Sequence, residues 1–128
     1  MPLPIWLFKL IPFGRRSEIG AADYLRSLGF KIAASSFRTK SGEVDLVVWD
    51  GDVLVFVEVK ARRSTAPPED NVGFRKQQRV IRAAHSYISK YKLHESSYRF
   101  DILAITHLPG RKPEFRLLRD AYKDRKWV

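Results

Sequence analysis

Two β-rich segments on either side of Asp50-Gly51 restrict the fold of this 128-residue chain more than any other feature. Val44–Trp49 and Val53–Lys60 are rich in β-branched and aromatic residues, as strands are. An Asp-Gly pair between two such runs is a strong signal for a two-residue β-hairpin turn. We therefore predict an antiparallel hairpin at the centre of the fold.

The turn also predicts which residues of the hairpin lie opposite one another. With Asp50-Gly51 as the two turn residues, the predicted pairs are Trp49 with Asp52, Asp45 with Phe56, and Glu43 with Glu58. A four-residue loop would keep the same residues on each face, whereas a simple three-residue loop would move Glu58 to the other face.

Alternation along the hairpin separates apolar from charged residues. The predicted apolar face, which must pack against a helix, carries Val44, Leu46, Val48, Val53, Val55, Val57 and Val59. The other face carries Glu43, Asp45, Glu58 and Lys60. Asp45 and Glu58 are predicted diagonal neighbours with Cβ atoms roughly 7 Å apart, close enough for both carboxylates to reach one cation. Such hard oxygen ligands favour Mg²⁺ or Mn²⁺, although a solvated strand face with ordinary ion pairs is the alternative.

The charge distribution favours a polyanionic partner. The chain has 24 Lys and Arg against 14 Asp and Glu, a formal net charge of +10, yet Ser41–Val59 holds five acidic residues and no basic one. From Lys60 to Lys92 there are nine basic residues against two acidic ones. An acidic pocket beside a basic surface suits phosphodiester cleavage, because carboxylates hold a metal and basic side chains hold phosphates. The absence of cysteine excludes disulfides and a cysteine nucleophile, and it fits a cytoplasmic protein.

The remaining pattern predicts an α/β fold. Ser17 caps a predicted helix that begins at Glu18 and ends at Gly29, and a second predicted helix covers Phe74–Tyr91. Further strands are predicted at Phe30–Arg38, Tyr98–Thr106 and Glu114–Leu118. This order indicates a central mixed β-sheet flanked by α-helices.

We expect one domain over residues 14–128, preceded by an apolar arm over residues 1–13. The arm is too short to cross a bilayer, and no transmembrane segment is predicted. It either packs on the domain or on a second subunit, or it anchors the chain at a membrane interface through Trp6 and Phe8.

The acidic motif resembles that of a known nuclease superfamily. Gly42-Glu43-Val44-Asp45-Leu46, followed by Glu58-Val59-Lys60, resembles the PD-(D/E)xK signature. More narrowly, the chain from about Gly14 to Asp120 resembles the YraN-like family of small bacterial proteins, which is similar to archaeal Holliday-junction resolvases. The resemblance implies a restriction-endonuclease-like fold.

The resemblance also implies roles for single residues. Asp45, Glu58 and the backbone carbonyl of Val59 would bind the metal, and Lys60 would position the attacking water. Glu18 would be a further ligand or a first-turn residue favoured by the helix dipole. Glu43 would be an outer carboxylate, and Gln77 would contact the scissile phosphate or solvent.

A set of basic residues is predicted to contact the substrate backbone. Four of them share one face of the second predicted helix, and the others border the acidic hairpin or, like Arg38, belong to the family pattern. The set is Arg38, Arg62, Arg63, Arg75, Lys76, Arg79 and Arg82.

These observations favour a metal-dependent endonuclease that acts on DNA, with structured or branched DNA implied only by the resolvase resemblance. One alternative is a catalytically inactive nucleic-acid-binding module of the same fold, and another is a membrane-associated adaptor that uses the arm. Cleavage of two strands would require a homodimer, which no sequence feature demonstrates.

Overall fold

The computed structural model describes residues 13–63 and 73–124, with side chains of the first helix described from Gly20 onward. Its elements in chain order are α1 (Phe13–Ser27), β1 (Lys31–Arg38), β2 (Glu43–Asp50), β3 (Val53–Arg62), α2 (Phe74–Lys90), β4 (Tyr98–Thr106) and β5 (Glu114–Tyr122). Residues 1–12 of the predicted arm lie outside the described residues, and Phe13 begins α1. No helix in the two described ranges is long and apolar enough to cross a membrane.

The five strands form one sheet in the order β1-β2-β3-β4-β5. Neighbouring strands are antiparallel except for β3 and β4, which are parallel and joined by the crossover containing α2. Helix α1 covers one face of the sheet and α2 covers the other, each over its own apolar core. The predicted α/β fold with a mixed sheet flanked by helices is confirmed.

Helix α1 ends as predicted but begins earlier. Gly29 has φ +91° and donates to the Arg26 carbonyl at 2.9 Å, while Phe30 donates to the Leu25 carbonyl at 3.1 Å, a Schellman arrangement. Phe30 and Leu25 then pack in the same core. The predicted start was wrong: the helix already begins at Phe13, so Ser17 is not its cap and Glu18 is not in its first turn.

The hairpin is present, but its predicted register is wrong by two residues. Trp49 pairs with Leu54 and Asp50 pairs with Val53, so the turn residues are Gly51-Asp52 rather than Asp50-Gly51. Gly51 has φ +58°, and a type II′ turn places glycine at its first central position for this reason. A shift of two preserves which face each side chain occupies.

Both faces of the hairpin are buried near its turn. Leu46, Val48, Val55 and Val57 face α1 as predicted, together with the partly buried Val53 and Val59. The other face was expected to be charged, but Val47, Leu54 and Phe56 pack there under α2. Val44 also lies on the α2 side, contrary to prediction, because β2 has left its pairing with β3 by that point. The acidic residues therefore occupy the end of this face, beyond the apolar core.

Candidate active site

The candidate site lies at the C-terminal end of β3, where that strand loses one neighbour. Pairing with β2 stops at Leu46 and Val57, whereas pairing with β4 continues from Glu58 opposite Ile102 to Arg62 opposite Thr106. Phe56, Glu58 and Lys60 are every second residue of β3 and so lie on the same face. This face therefore changes from apolar core to charged site within five residues. The departure of β2 opens space beside Glu58.

Asp45 closes the gap between the two diverging strands. Its Oδ2 accepts a hydrogen bond of 2.8 Å from the Val59 N–H, in place of a strand-to-strand bond. The N–H and C=O groups of a strand residue point to the same edge, so the Val59 carbonyl also lies on the Asp45 side of β3. Extending the observed register by one residue places Asp45 directly opposite Glu58, rather than diagonal to it as predicted.

Glu58 is a buried carboxyl group with unusual electrostatics. It is 5% exposed, and burial followed by the charge of Asp45 raises the pKa of Glu58 to about 8. Its Oε1 lies 3.3 Å from the Lys76 ammonium, while Oε2 is buried and has no hydrogen-bond partner among the described residues. A buried carboxyl oxygen without a donor is a group that a cation would stabilise.

Glu43 lies at the same end of the sheet, and three cations surround it. Its carboxylate is 3.4 Å from Arg38, 3.5 Å from Arg79 and 3.6 Å from Lys76. Glu43 was predicted to lie opposite Glu58, but in the observed register it lies two residues beyond the position opposite Glu58. Glu43 therefore ties β1, β2 and α2 together.

Lys76 is the residue whose placement departs most from its predicted role. It was grouped with the basic residues that contact substrate, but its ammonium lies between Glu58 and Glu43. Burial alone would lower the pKa of Lys76, but the charge of Glu58 raises this pKa above its ordinary value. Spacing along α2 placed Lys76 on a basic face, and only the packing of α2 on the sheet shows that it reaches the carboxylates.

The donor set fits a hard divalent cation. Asp45, Glu58 and the Val59 carbonyl supply oxygen atoms from one small region, and Glu58 Oε2 has no other described partner. No group of three His, Asp or Glu side chains that could hold a metal occurs among the described residues. Mg²⁺ is commonly bound through only one or two carboxylates together with water, so this set suits it. Glu18 lies within α1, and its side chain is outside the described part of the chain.

Lys60 and Gln77 complete the list of predicted catalytic side chains. Lys60 is partly buried on the Glu58 face of β3. Gln77 is partly buried in the first turn of α2, where its N–H donates to the Gly73 carbonyl at 3.0 Å. Both residues therefore belong to elements that border the carboxylates.

The other predicted basic residues border the same end of the sheet. Arg38 ends β1, while Arg62 and the exposed Arg63 follow Lys60 at the end of β3. Arg75, Arg79 and Arg82 are exposed on α2 and line a groove of about 280 Å³. Their position beside the carboxylates forms a basic rim around an acidic centre.

Three features of this site were missed in the sequence. Gly42 approaches α2 so closely that an added Cβ would lie 1.9 Å from the Arg79 carbonyl oxygen. Phe74 is 47% exposed beside Arg75 in the groove. The buried hydroxyl of Tyr122 has no hydrogen-bond partner among the described residues, and burial and nearby Glu58 raise its pKa. The glycine before Glu43 was a usable signal, while nothing in the local sequence marks Tyr122.

Comparison with known proteins identifies relatives along most of the chain. The model of "Uncharacterised protein family UPF0102" matches residues 17–105, a range that includes Asp45, Glu58 and Lys76. A UPF0102 protein of Geotalea uraniireducens is 38% identical over 112 residues, covering 86% of this chain and 88% of its own. One from Anaeromyxobacter dehalogenans is 46% identical over 99 residues, covering 76% and 74%.

A solved structure is also similar, that of Archaeoglobus fulgidus Hjc, a Holliday junction resolvase from an archaeal hyperthermophile. The two share 16% sequence identity over 80% of this chain and 75% of that one, with a TM-score of 0.42. The family match and the curated relatives confirm the predicted family resemblance, and the chain belongs to family UPF0102, the YraN family.

Proposed function

We propose that this protein is a metal-dependent endonuclease that hydrolyses phosphodiester bonds in nucleic acid, with DNA as the expected substrate. The observation that carries the proposal is the pairing of the buried Glu58 with the partly buried Asp45 beside Lys60, with one Glu58 oxygen lacking a described partner. Two carboxylates, a backbone carbonyl and a lysine, brought together where β2 and β3 diverge, are groups suited to this reaction. The PD-(D/E)xK resemblance supports the same assignment.

Each group has a defined task in this proposal. Asp45, Glu58 and the Val59 carbonyl would hold Mg²⁺ or Mn²⁺, which when bound supplies Lewis-acid activation of water. Lys60 follows Glu58 on the same face, so its ammonium would hold the attacking water and offset negative charge on the phosphate. Glu43 keeps α2 against the sheet through Arg79, and Gln77 in the first turn of α2 would hydrogen-bond a phosphate oxygen.

The basic rim supports a long polyanionic substrate. Exposed guanidinium groups occur on α2 and at the end of β3, the two elements that carry Lys76 and Glu58, and they would hold the flanking phosphates. DNA in the cytoplasm is the substrate that we propose, and its branched or structured form comes only from the family resemblance. Double-strand cleavage would further require a homodimer, which light scattering of the purified protein would detect.

The decisive experiment removes one carboxylate at a time. We expect purified protein with Mg²⁺ or Mn²⁺ to nick a panel of plasmid, flapped and branched DNA. Asp45→Asn and Glu58→Gln should lower the rate by about a hundredfold or more, because each removes a charge on which the metal depends.

Asp52→Asn is the matched control for that experiment, since Asp52 is exposed in the hairpin turn at the opposite end of β2 and β3. It loses the same charge, and we expect unchanged cleavage. Equal cleavage by wild type, Asp45→Asn and Glu58→Gln would overturn the proposed function.

The alternative function is a binding module without catalysis. The observation in its favour is that Lys76 already contacts Glu58 and Glu43 from within the protein, so the basic rim could bind nucleic acid without a metal. Metal-binding calorimetry on wild type and Asp45→Asn separates the two. Metal binding by wild type that is lost in Asp45→Asn supports the nuclease. Nucleic-acid binding by a wild-type protein that binds no metal supports the binding module.

A further inference from the structure

The ammonium group of Lys76 occupies the place in the carboxylate cluster that a bound cation would share. It lies 3.3 Å from Glu58 Oε1 and 3.6 Å from Glu43 Oε1, and Asp45 also acts on it electrostatically. The Lys76 side chain is 36% exposed, whereas that of Glu58 is 6% exposed. Lys76 is thus a cation of the protein itself in contact with the most buried acid of the site.

Neighbouring charges on α2 behave differently from Lys76. Arg79 contacts Glu43 at 3.5 Å but remains 53% exposed, and Arg75 is exposed in the groove. Lys76, by contrast, reaches Glu58. Lys76 therefore acts on the carboxylates through a direct contact, whereas Arg75 contributes only to the positive charge of the helix surface.

A divalent ion at Glu58 Oε2 and the Lys76 ammonium at Oε1 would share one carboxylate group. Each interacts favourably with the Asp45–Glu58 cluster, but two cations within a few ångströms of each other repel strongly in a partly desolvated site. The lysine side chain has a flexible four-carbon stem, so its charge can move by several ångströms without movement of α2. Glu43 offers it a second partner that is 28% exposed.

We propose that Lys76 is a tethered counter-ion of the Asp45–Glu58 cluster, which stabilises the metal-free protein and must leave Glu58 when a divalent ion binds. The inference rests on the proposed metal site, and it adds a competing group within this chain. Lys76 is a positioning residue here, since it acts on the carboxylates and not on the substrate.

The test is a calorimetric titration of the full chain with Mn²⁺, comparing wild type, Lys76→Gln and Arg75→Gln. Lys76→Gln removes the competitor, so its affinity for Mn²⁺ should rise by about tenfold. Arg75→Gln loses the same charge one residue away, and its affinity should change less than twofold. A purely structural role for Lys76 would lower the affinity of Lys76→Gln, because the carboxylates would lose their position.

Further variants keep every outcome decisive. Lys76→Arg retains the charge and should bind Mn²⁺ as wild type does, even if Lys76→Gln is less stable when metal-free. Equal affinities of Lys76→Gln and Arg75→Gln, or weaker binding by Lys76→Gln, would overturn the competition. Asp45→Asn reports separately on the metal site: if wild type and Asp45→Asn bind Mn²⁺ equally, the proposed ligands are wrong, and with them the proposed function.

Discussion

Glu58 illustrates how a single buried group at a candidate site can oppose stability. Its carboxyl is 5% exposed next to Asp45, and burial raises its pKa to about 8 from an ordinary value of 4.5. In the unfolded chain the same group releases its proton at the ordinary value. Between these two pH values the folded protein holds a proton that the unfolded protein has lost.

That difference predicts an unusual pH dependence for the metal-free protein. Because the folded state binds more protons between about pH 4.5 and 8, the free energy of unfolding should fall as pH rises through this window, by at most about 1.4 kcal/mol per pH unit. Urea unfolding with a chelator, at half-unit steps from pH 5 to 8.5, measures the slope. Glu58→Gln cannot titrate, so it should show a smaller slope and higher stability at pH 8. Parallel curves for wild type and Glu58→Gln would contradict the prediction.

The residues of the candidate site differ in how well their positions could be predicted from the sequence. Glu58 and Lys60 could be placed on one face because side chains alternate regularly along β3, whereas alternation along β2 fails at Val44, next to Asp45. Lys76 could not, since its approach to Glu58 depends on how α2 is rotated and placed over the sheet, and helical spacing alone does not determine this. Tyr122 was missed for the same reason, because β5 brings it near Glu58 only through the sheet order.

At the level of elements, the ends of helices and the turns could be predicted only where one residue has a strong conformational preference. Gly29 ends α1 because glycine adopts φ +91° without strain, and this could be foreseen. The start of α1 could not, because Ser17 offered a good cap that the longer helix does not use. At Asp50-Gly51 the preference of glycine was real, but it lies at the first turn position and not the second, which moved the register by two residues.

Gly42 controls how closely two elements approach each other. It precedes β2 and lies against the backbone of α2, where an added Cβ would be 1.9 Å from the Arg79 carbonyl oxygen and 3.1 Å from the Ala83 nitrogen. These are backbone atoms of a helix, so they cannot give way as a side-chain end could. The close approach brings Glu43 within reach of Lys76 and Arg79.

Gly42→Ala should therefore push β2 and α2 apart. We expect a loss of about 1–3 kcal/mol in the free energy of unfolding, as for other overpacked sites, and weaker Mn²⁺ binding because Asp45 follows Gly42 in the same segment. Urea unfolding and metal titration measure the two effects. Gly73→Ala is the matched control, since an added Cβ there meets nothing within 4 Å, and its stability should change by less than about 1 kcal/mol. Equal effects of the two substitutions would rule out the close contact as the cause.

For the molecule as a whole, the net charge of +10 becomes informative only through its arrangement. Because β2 is antiparallel to both of its neighbours, its start lies at the same end of the sheet as the ends of β1 and β3. The start of α2 reaches this end too, since Lys76 contacts Glu43 and Glu58 there. This topology gathers Arg38, Glu43, Glu58 and Arg62 from separate segments. The fold class could be predicted from element order, but the meeting of these ends required the strand order.

The basic rim makes a quantitative prediction about nucleic-acid binding. Each phosphate held by an arginine releases counterions, so log K for duplex DNA falls with log salt concentration by about 0.9 per contact. Arg75 and Arg82 are exposed on one face of α2, and neither has a described ion pair with the carboxylates. The double substitution Arg75→Gln/Arg82→Gln should lower the slope by about 2 without changing Mn²⁺ affinity by more than about twofold.

Fluorescence anisotropy in chelator, from 50 to 300 mM salt, would measure that slope with no cleavage. Lys31→Gln is the control, because Lys31 is exposed at the start of β1, opposite Trp49, and so lies at the far end of the sheet. It loses one charge from the same total, and its slope should equal that of wild type if the rim holds the substrate. If Lys31→Gln reduced the slope as much per charge as the α2 variant did, binding would follow net charge alone and the α2 groove would not be the substrate path. A reduced slope in the α2 variant alone would place the phosphates beside the carboxylates, where the proposed hydrolysis needs them.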